Sequence, residues 1–260
     1  MTKGRVLITG ASSGLGLELT KLFAKDGYDL ILVARNVVKL EQVKIELELA
    51  YKIDIIVLDK DLSLKNSCIE IYDELKNRNI AVDILVNNAG LGSFGLFHET
   101  ELSKLLEITA VNIDALTILT RLFCRDMAKR KSGKILNIAS IGAFQGSAFI
   151  AAYYASKAYV LSLSEAIANE LKDYGVSVTV FCPGPIKTNF HKAAGKGMSN
   201  TAISAEKAAS LAYSALRGGK TVVIPGAGLK MMIFGARFLP RRVVVYLAGK
   251  LQKIQKQQKG

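Results

Sequence analysis

Residues 153–157, YYASK, place two adjacent tyrosines near a lysine in a stretch with helical periodicity. Side chains three or four positions apart meet on one helix face, so Lys157 can reach either Tyr153 or Tyr154. A tyrosine has an ordinary pKa of roughly 10 and is a weak acid-base group at neutral pH, but a nearby ammonium would lower that pKa. The motif therefore predicts proton transfer, although the spacing alone does not select the tyrosine.

A glycine-rich segment near the N-terminus is a candidate phosphate-binding loop. Residues 9–16 read TGASSGLG and lie between a predicted strand and a predicted helix. Gly10, Gly14 and Gly16 would let the backbone turn tightly and approach a pyrophosphate at the helix N-terminus. The strand before the motif and the helix after it are the context that favours dinucleotide binding.

The same loop also spells G-x-S-x-G around Ser12, the nucleophile elbow of α/β hydrolases. A hydrolase would need a histidine presented at a late strand end, and the two histidines, His98 and His191, do not follow such strands. Hydrolysis is therefore disfavoured. Both histidines are interpreted as surface or substrate-loop residues, and two of them do not make a metal site.

The elements that must position these residues alternate between short apolar runs and helical periodicity. The predicted strands are residues 5–8, 29–34, 54–58, 83–87, 134–138, 176–181 and 221–224, and the helical segments are 15–27, 36–50, 63–77, 101–130, 151–175 and 204–219. Ser63 is a candidate N-cap, and Gly27 and Gly175 are candidate C-caps. The pattern predicts one α/β domain with a doubly wound, Rossmann-type parallel sheet of about seven strands, which binds ligands beyond its strand ends.

The end of the second predicted strand bears on the choice of cofactor. A dinucleotide fold usually places an acid there for the adenosine ribose, but this sequence has Ala34 followed by Arg35. A guanidinium pairs with a 2′-phosphate that an acid would repel, so Arg35 favours NADP(H) over NAD(H). The alternative is a surface arginine at a helix start.

Composition indicates an ordered globular protein whose basic residues are unevenly distributed. The net charge is +13, yet residues 207–260 hold 11 of the 35 Lys and Arg and none of the 22 Asp and Glu. Cys68, Cys124 and Cys182 form no CxxC pair and are interpreted as reduced residues of a cytoplasmic protein. The first apolar run is too short for a signal peptide, and no apolar stretch is long enough to span a bilayer.

Together these motifs resemble the short-chain dehydrogenase/reductase family over roughly residues 3–226. The family's motifs appear in order as TGASSGLG at 9–16, NNAG at 87–90, Asn112, Ser140, YYASK at 153–157 and PGPIKT at 183–188. In that family a serine precedes the catalytic tyrosine by thirteen positions, as Ser140 precedes Tyr153. The resemblance therefore selects Tyr153 and leaves Tyr154 as a packing or contact residue.

The resemblance implies that a nicotinamide supplies the hydride and that Tyr153 is the general acid-base. It further implies that Ser140 steadies the substrate oxygen, that Lys157 also holds the nicotinamide ribose and that Asn112 helps maintain a proton relay. The implied cofactor-binding residues are Thr9, Gly10, Ser12, Ser13, Gly14, Leu15, Gly16, Arg35, Asp61, Leu62, Asn88, Ala89, Gly90, Tyr153, Lys157, Pro183, Gly184, Ile186 and Thr188. No metal is expected.

Two features depart from the family's pattern. Members that prefer NADP often have a second basic residue before the middle glycine, where this chain has Ser13. The second departure is the extended C-terminus.

Residues 1–226 are predicted to form the catalytic domain, with a substrate lid at 186–204. Residues 227–260 are a basic extension with a predicted amphipathic helix from Arg241, and Val244, Leu247, Leu251 and Ile254 lie close to one face of it. That helix could form part of the substrate wall, an oligomer interface or a peripheral membrane contact through residues 229–260.

The sequence is therefore interpreted as an NADP(H)-dependent oxidoreductase that interconverts a carbonyl and an alcohol. Its expected partners are a small-molecule substrate and further copies of the chain, as a dimer or tetramer, and no nucleic acid. Two alternatives remain open: a non-catalytic regulator that binds NADP(H), and a membrane-surface protein that acts through its basic tail.

Overall fold

The computed structural model describes residues 3–195, 197 and 199–257, and near the C-terminus it describes side chains as far as Lys253. The strands are β1 (Arg5–Thr9), β2 (Asp29–Ala34), β3 (Ile55–Asp59), β4 (Ile84–Asn87), β5 (Gly133–Ile138), β6 (Val176–Phe181), β7 (Ile186–Lys187), β8 (Ile203–Ser204) and β9 (Val222–Val223). The helices are α1 (Gly14–Lys25), α2 (Val37–Tyr51), α3 (Ser67–Asn77), α4 (Leu102–Thr109), α5 (Leu116–Lys129), α6 (Ala151–Glu170), α7 (Phe190–Ala193), α8 (Ala205–Arg217), α9 (Ala227–Ala236) and α10 (Arg241–Gln257).

Seven of the strands form one parallel sheet in the order β3-β2-β1-β4-β5-β6-β9. The order reverses between β1 and β4, so the carboxyl ends of these strands open a crevice of the kind that binds dinucleotides. The predicted doubly wound sheet is confirmed. The short strands β7 and β8 pair separately and bracket the predicted lid.

Both faces of the sheet are buried, which explains the unbroken apolar strand sequences. Val6 and Ile8 of β1 face a core built with α1, α2 and α8, whereas the intervening Leu7 faces a second core built with α3 and α5. Side chains alternate across a strand, so each apolar strand needs a helical layer on either side.

Three local predictions differ from the structure. Gly175 caps the short 3₁₀ turn Lys172–Tyr174 rather than α6, which ends at Glu170. Ser63 does not cap α3, which begins at Ser67 after Asn66; instead the Ser63 backbone N–H and hydroxyl donate to Asp61 Oδ1 at 2.9 and 2.8 Å. The Asp61 side chain thus forms a local turn that competes with helix initiation. The single helix predicted at 101–130 is interrupted by a π-helical turn over residues 110–115, which contains Asn112. Such turns occur frequently at functional sites.

The C-terminal extension forms two helices. As predicted, a helix begins at Arg241, and α9 precedes it. Of the predicted apolar face, Val244 is half-buried, Leu247 and Leu251 are exposed, and the Ile254 side chain lies outside the described residues. Within the part of the chain that the structure describes, no helix has both the length and the apolar character needed to cross a bilayer.

Candidate active site

The loop between β1 and α1 has the backbone conformation that its glycines predict. Gly10 and Gly14 have φ of +67° and +55°, a backbone conformation that residues other than glycine rarely adopt. At Gly16 an added Cβ would lie 2.2 Å from the Gly10 carbonyl oxygen, so the first turn of α1 packs directly on the loop. Ser13 precedes α1, and its side chain makes no capping hydrogen bond. The N-terminal amides of α1 therefore remain available to an anion, as a pyrophosphate requires.

The NNAG segment after β4 holds this loop in place. Asn88 Nδ2 donates to the carbonyl oxygens of Thr9 and Gly10 at 2.9 and 3.3 Å, and the backbone amides of Asn88 and Ala89 each donate to Thr9 Oγ1 at 3.0 Å. Asn87 Nδ2 donates to buried partners on the neighbouring α5 and β5. These hydrogen bonds fix the position of the glycine loop relative to β4.

Arg35 follows β2, as predicted, and is held by two acids. Its Nη1 lies 3.3 Å from Glu107 Oε1 and 3.8 Å from Asp61 Oδ2, and its side chain is 59% exposed. Burial opposes ionisation of Asp61, but hydrogen bonds from Ser63 and the charge of Arg35 together lower the pKa of that carboxyl. The guanidinium is therefore positioned and still accessible. Glu107, which the sequence reasoning missed, has no motif that marks it.

The remaining predicted cofactor residues differ in whether their side chains can reach a ligand. Thr188 contacts the loop directly, because its Cγ2 would be 3.0 Å from a Cβ at Gly14. Pro183 accepts a hydrogen bond from the Ile141 amide at 2.9 Å, and Ile186 lies in β7. By contrast, the side chains of Leu15 and Leu62 are buried in the two cores, so they offer a ligand backbone groups at most.

Ser140, Tyr153 and Lys157 meet beyond the end of β5. Ser140 follows β5, and its Oγ accepts a hydrogen bond from the Gly142 amide at 3.1 Å. The Tyr153 side chain, on α6, interacts with the Ser140 side chain. Lys157 lies one turn further along α6, with Nζ 5.7 Å from the Tyr153 ring centroid. The structure thus brings together the three residues that the sequence selected.

The electrostatics of this set correct one expectation. Burial raises the pKa of Tyr153, and the Ser140 hydrogen bond lowers it by less. Burial also lowers the pKa of Lys157 to about 8, and Nζ is engaged by the Ile138 carbonyl oxygen at 2.8 Å. In this structure the pKa of Tyr153 is therefore raised rather than lowered, and burial is the main cause of the shift in both groups.

Asn112 links the π-helical turn to α6 through a chain of hydrogen bonds. Its Oδ1 accepts from the Leu91 amide at 2.8 Å, and its Nδ2 donates to the Leu91 carbonyl oxygen and to Ser156 Oγ, both at 2.9 Å. Ser156 in turn donates to the Tyr153 carbonyl oxygen at 2.7 Å. The Asn112 side chain also borders Gly90, where an added Cβ would lie 3.3 Å from Lys157 Nζ. Asn112 therefore anchors the backbone around the candidate site.

The walls around Tyr153 are apolar and include residues that the sequence reasoning missed. Phe190 of α7 packs against Tyr153 with ring centroids 5.3 Å apart. Tyr154 packs over Gly142, and its hydroxyl accepts a hydrogen bond from Gln252 Nε2 of α10 at 2.9 Å. Leu229 of α9 would contact a Cβ at Gly184 at 3.1 Å. The contacts made by Gln252 and Leu229 have no local sequence signal, because they depend on where the C-terminal extension folds back.

The two histidines, Cys68 and Cys124 lie outside this constellation, whereas Cys182 is close enough to interact electrostatically with Lys157. His98 is exposed beside Glu99, with 3.8 Å between Nε2 and Oε1, and His191 lies in α7 next to Phe190. Burial raises the pKa of Cys68 and of Cys182 to about 12, and these thiols are unpaired. Among the residues that the structure describes, no group of three or more potential ligands could hold a metal ion.

A parallel sheet of this order, with a glycine loop after its first strand and a Ser-Tyr-Lys set beyond its fifth, defines a dinucleotide-binding enzyme fold. The family model for short chain dehydrogenases matches residues 4–199. The chain therefore belongs to the short-chain dehydrogenase family, as the motifs predicted. Membership supports an enzyme that oxidises or reduces its substrate with a nicotinamide cofactor.

Individual relatives agree with this assignment. The ketoacyl reductase HetN of Nostoc sp. is 32% identical over 212 residues, which are 81% of this chain and 71% of that protein. A short-chain dehydrogenase from Sphingobium yanoikuyae, solved in complex with NADPH, superposes with a TM-score of 0.82 at 29% identity, covering 90% of this chain and 93% of that one.

A second solved structure shows that the fold alone does not identify the dinucleotide. A short-chain dehydrogenase/reductase from Burkholderia phymatum, solved in complex with NAD, has a TM-score of 0.80 at 22% identity and covers 89% of this chain and 92% of that one. At this identity the likeness shows the fold only.

Proposed function

We propose that this protein is an NADP(H)-dependent reductase or dehydrogenase that interconverts a carbonyl and an alcohol, with Tyr153 as the general acid-base. The observation that supports this most directly is the convergence of the Tyr153 and Ser140 side chains with the buried Lys157, whose Nζ lies 5.7 Å from the Tyr153 ring centroid. Three polar groups that converge in an otherwise apolar pocket suit a single substrate oxygen.

The residues present fit a dinucleotide. Gly10, Gly14 and Gly16 keep the loop and the N-terminus of α1 free of side chains, and Arg35 supplies a guanidinium for a 2′-phosphate. When bound, the nicotinamide supplies or accepts the hydride that no side chain can transfer. Thr188, which contacts the loop at Gly14, is the side chain we assign to orienting the nicotinamide amide.

The protein's own groups would perform the proton chemistry. Ser140 donates to the substrate oxygen and holds it beside the Tyr153 hydroxyl, which gives its proton to the oxygen during reduction. Lys157 is buried near the Tyr153 ring, and we assign its ammonium to offsetting part of the cost that burial imposes on the phenolate formed during reduction. Asn112 and Ser156 hold the backbone at Leu91 and Tyr153 through hydrogen bonds. These bonds keep the Tyr153 side chain in position for proton transfer.

Substrate class, assembly and location extend this proposal. The aromatic walls formed by Phe190 and Tyr154 suit a carbonyl compound with an apolar substituent, and the likeness to a ketoacyl reductase favours ketoacyl thioesters. We further propose that residues 1–226 form the catalytic domain with a lid at 186–204, that the protein is a dimer or tetramer, and that it acts in the cytoplasm on a small molecule.

The test is transfer of label from NADPH deuterated at C4 of the nicotinamide. The protein is incubated with ketoacyl thioesters, ketones, aldehydes and steroids, and the products are analysed by mass spectrometry. We expect deuterium at the new carbinol carbon of at least one substrate. NADPH binding without label transfer to any substrate would favour the non-catalytic regulator, and failure to bind NADPH would refute the cofactor assignment.

A further inference from the structure

The helices α9 and α10 expose large apolar side chains. On α9, Met231 and Phe234 lie on one face at i and i+3 and are 73% and 61% exposed, and Phe238, in the turn after α9, is 75% exposed. The rings of Phe234 and Phe238 pack together with centroids 5.2 Å apart. On α10, Leu247 and Leu251 are also exposed at i and i+4. Large apolar groups clustered in this way mark an interaction surface rather than an ordinary solvated face.

The opposite faces of both helices pack on the protein, so these apolar groups are not the ones that attach the helices. Ile233 of α9 is buried, and Leu229 packs at Gly184. On α10, Ala248 and Gln252 are buried, and a Cβ at Gly249 would lie 3.1 Å from Ala148 Cβ. The extension is therefore anchored by one side and exposes the other.

All the charged side chains of α9, α10 and the turn between them are positive. Both helices and the turn between them contain exposed cations, namely Lys230, Arg237, Arg241, Arg242, Lys250 and Lys253. Residues 207–260 contain no acid, and none of these six cations has an acidic partner among the described residues. Arg217 of α8, by comparison, pairs with Asp26 at 3.0 Å.

We propose that α9 and α10 form a docking surface for an anionic lipid bilayer. Exposed Phe, Met and Leu side chains would enter the interface, while the flanking lysines and arginines would contact lipid phosphates. A second copy of the chain fits this surface less well, since a two-fold contact through it would bring unpaired cations together.

Docking would place the bilayer next to the candidate active site. Gln252 of α10 bonds Tyr154, whose ring centroid is 6.1 Å from that of Tyr153, and Leu229 of α9 contacts the segment at Gly184. A carbonyl compound with an apolar chain could then pass from the bilayer into the pocket. This consequence rests on the function proposed above, whereas the docking surface does not.

The test is flotation of the full-length protein with vesicles of phosphatidylcholine alone or mixed with phosphatidylglycerol. We expect flotation with the anionic vesicles, reduced by high salt. The double variant Phe234→Ser/Phe238→Ser should lower vesicle affinity by at least about tenfold. The triple variant Arg241→Gln/Arg242→Gln/Lys250→Gln should abolish the preference for anionic lipid.

The matched control is Ile45→Ser/Leu49→Ser on α2. These side chains are also exposed, but α2 contains three acids, Glu41, Glu46 and Glu48, against two lysines, Lys39 and Lys44, so it has no excess of cations and the change should leave flotation unchanged. NADPH binding and the melting temperature show that each variant is folded, and neither readout depends on turnover. Absence of wild-type flotation would overturn the proposal. So would a smaller oligomer for Phe234→Ser/Phe238→Ser in light scattering, which would assign the surface to a second copy.

Discussion

At the scale of single residues, the proposed preference for NADP(H) depends on Arg35. Its guanidinium is the one predicted contact to a 2′-phosphate, and a charge-assisted pair of this kind is worth about 1.5–3 kcal/mol. We therefore expect Arg35→Ala to raise the dissociation constant of NADPH by about 10- to 100-fold and to leave that of NADH nearly unchanged. Fluorescence titration with both dinucleotides measures the two constants.

A matched control for Arg35 is Arg78→Ala. Arg78 is also exposed and pairs with an acid, Glu74, at 3.3 Å, but it lies at the C-terminal end of α3 and at none of the strand ends that form the crevice. Its replacement should alter neither dissociation constant. Equal losses for NADPH and NADH in Arg35→Ala would contradict a role in recognising the 2′-phosphate.

Lys157 links the site to the pH dependence of stability. Its pKa falls from an ordinary value of 10.5 to about 8 on folding, so between these values the unfolded chain holds a proton that the folded chain has released. Raising the pH through this window therefore stabilises the folded wild type. Relative to Lys157→Met, the wild type should gain on the order of 2 kcal/mol in unfolding free energy between pH 7 and pH 10. Urea unfolding of both proteins at each pH measures the gain, and a constant difference would argue against a buried ammonium.

At the scale of elements, the junction of the loop and α1 depends on the absence of a side chain at Gly16. A methyl group there would collide with the Gly10 carbonyl oxygen and with Asn88, neither of which can move without disturbing β1 or β4. Gly16→Ala should therefore lower the free energy of unfolding by about 3 kcal/mol and weaken NADPH binding.

Gly235→Ala in α9 is the control for that substitution. Nothing lies within 4 Å of a Cβ at Gly235, so alanine should leave stability unchanged or raise it by up to about 1 kcal/mol through helix propensity. Thermal unfolding of the two variants compares them. A Gly16→Ala protein as stable as the wild type would show that the loop does not need the close approach described here.

The sequence predicted those structural elements whose formation depends on residues close together in the chain. The buried strands, the glycine loop and the Ser140 to Tyr153 interval all follow from short stretches of sequence. Ser63 was mistaken for a cap because Asp61 competes for its hydrogen bonds, and the π-helical turn at Asn112 has the same apolar periodicity as the helices around it.

At the scale of the whole molecule, the contacts that close the site depend on distant parts of the chain. Gln252 bonds Tyr154 across 98 positions, and Glu107 reaches Arg35 across 72. The shifted pKa values of Tyr153 and Lys157 likewise reflect burial by the assembled fold, which spacing along one helix does not reveal. The sequence predicted which groups meet, and the fold determined how strongly they are desolvated.

The choice between the adjacent tyrosines is the central claim, and kinetics of Tyr153→Phe and Tyr154→Phe tests it most directly. With a substrate identified by label transfer, Tyr153→Phe should lower kcat by about 10²- to 10⁴-fold while the dissociation constant of NADPH stays within about twofold. Tyr154→Phe removes only the hydroxyl that accepts from Gln252, so it should retain most of kcat. Loss of turnover in Tyr154→Phe with an active Tyr153→Phe would contradict the assignment.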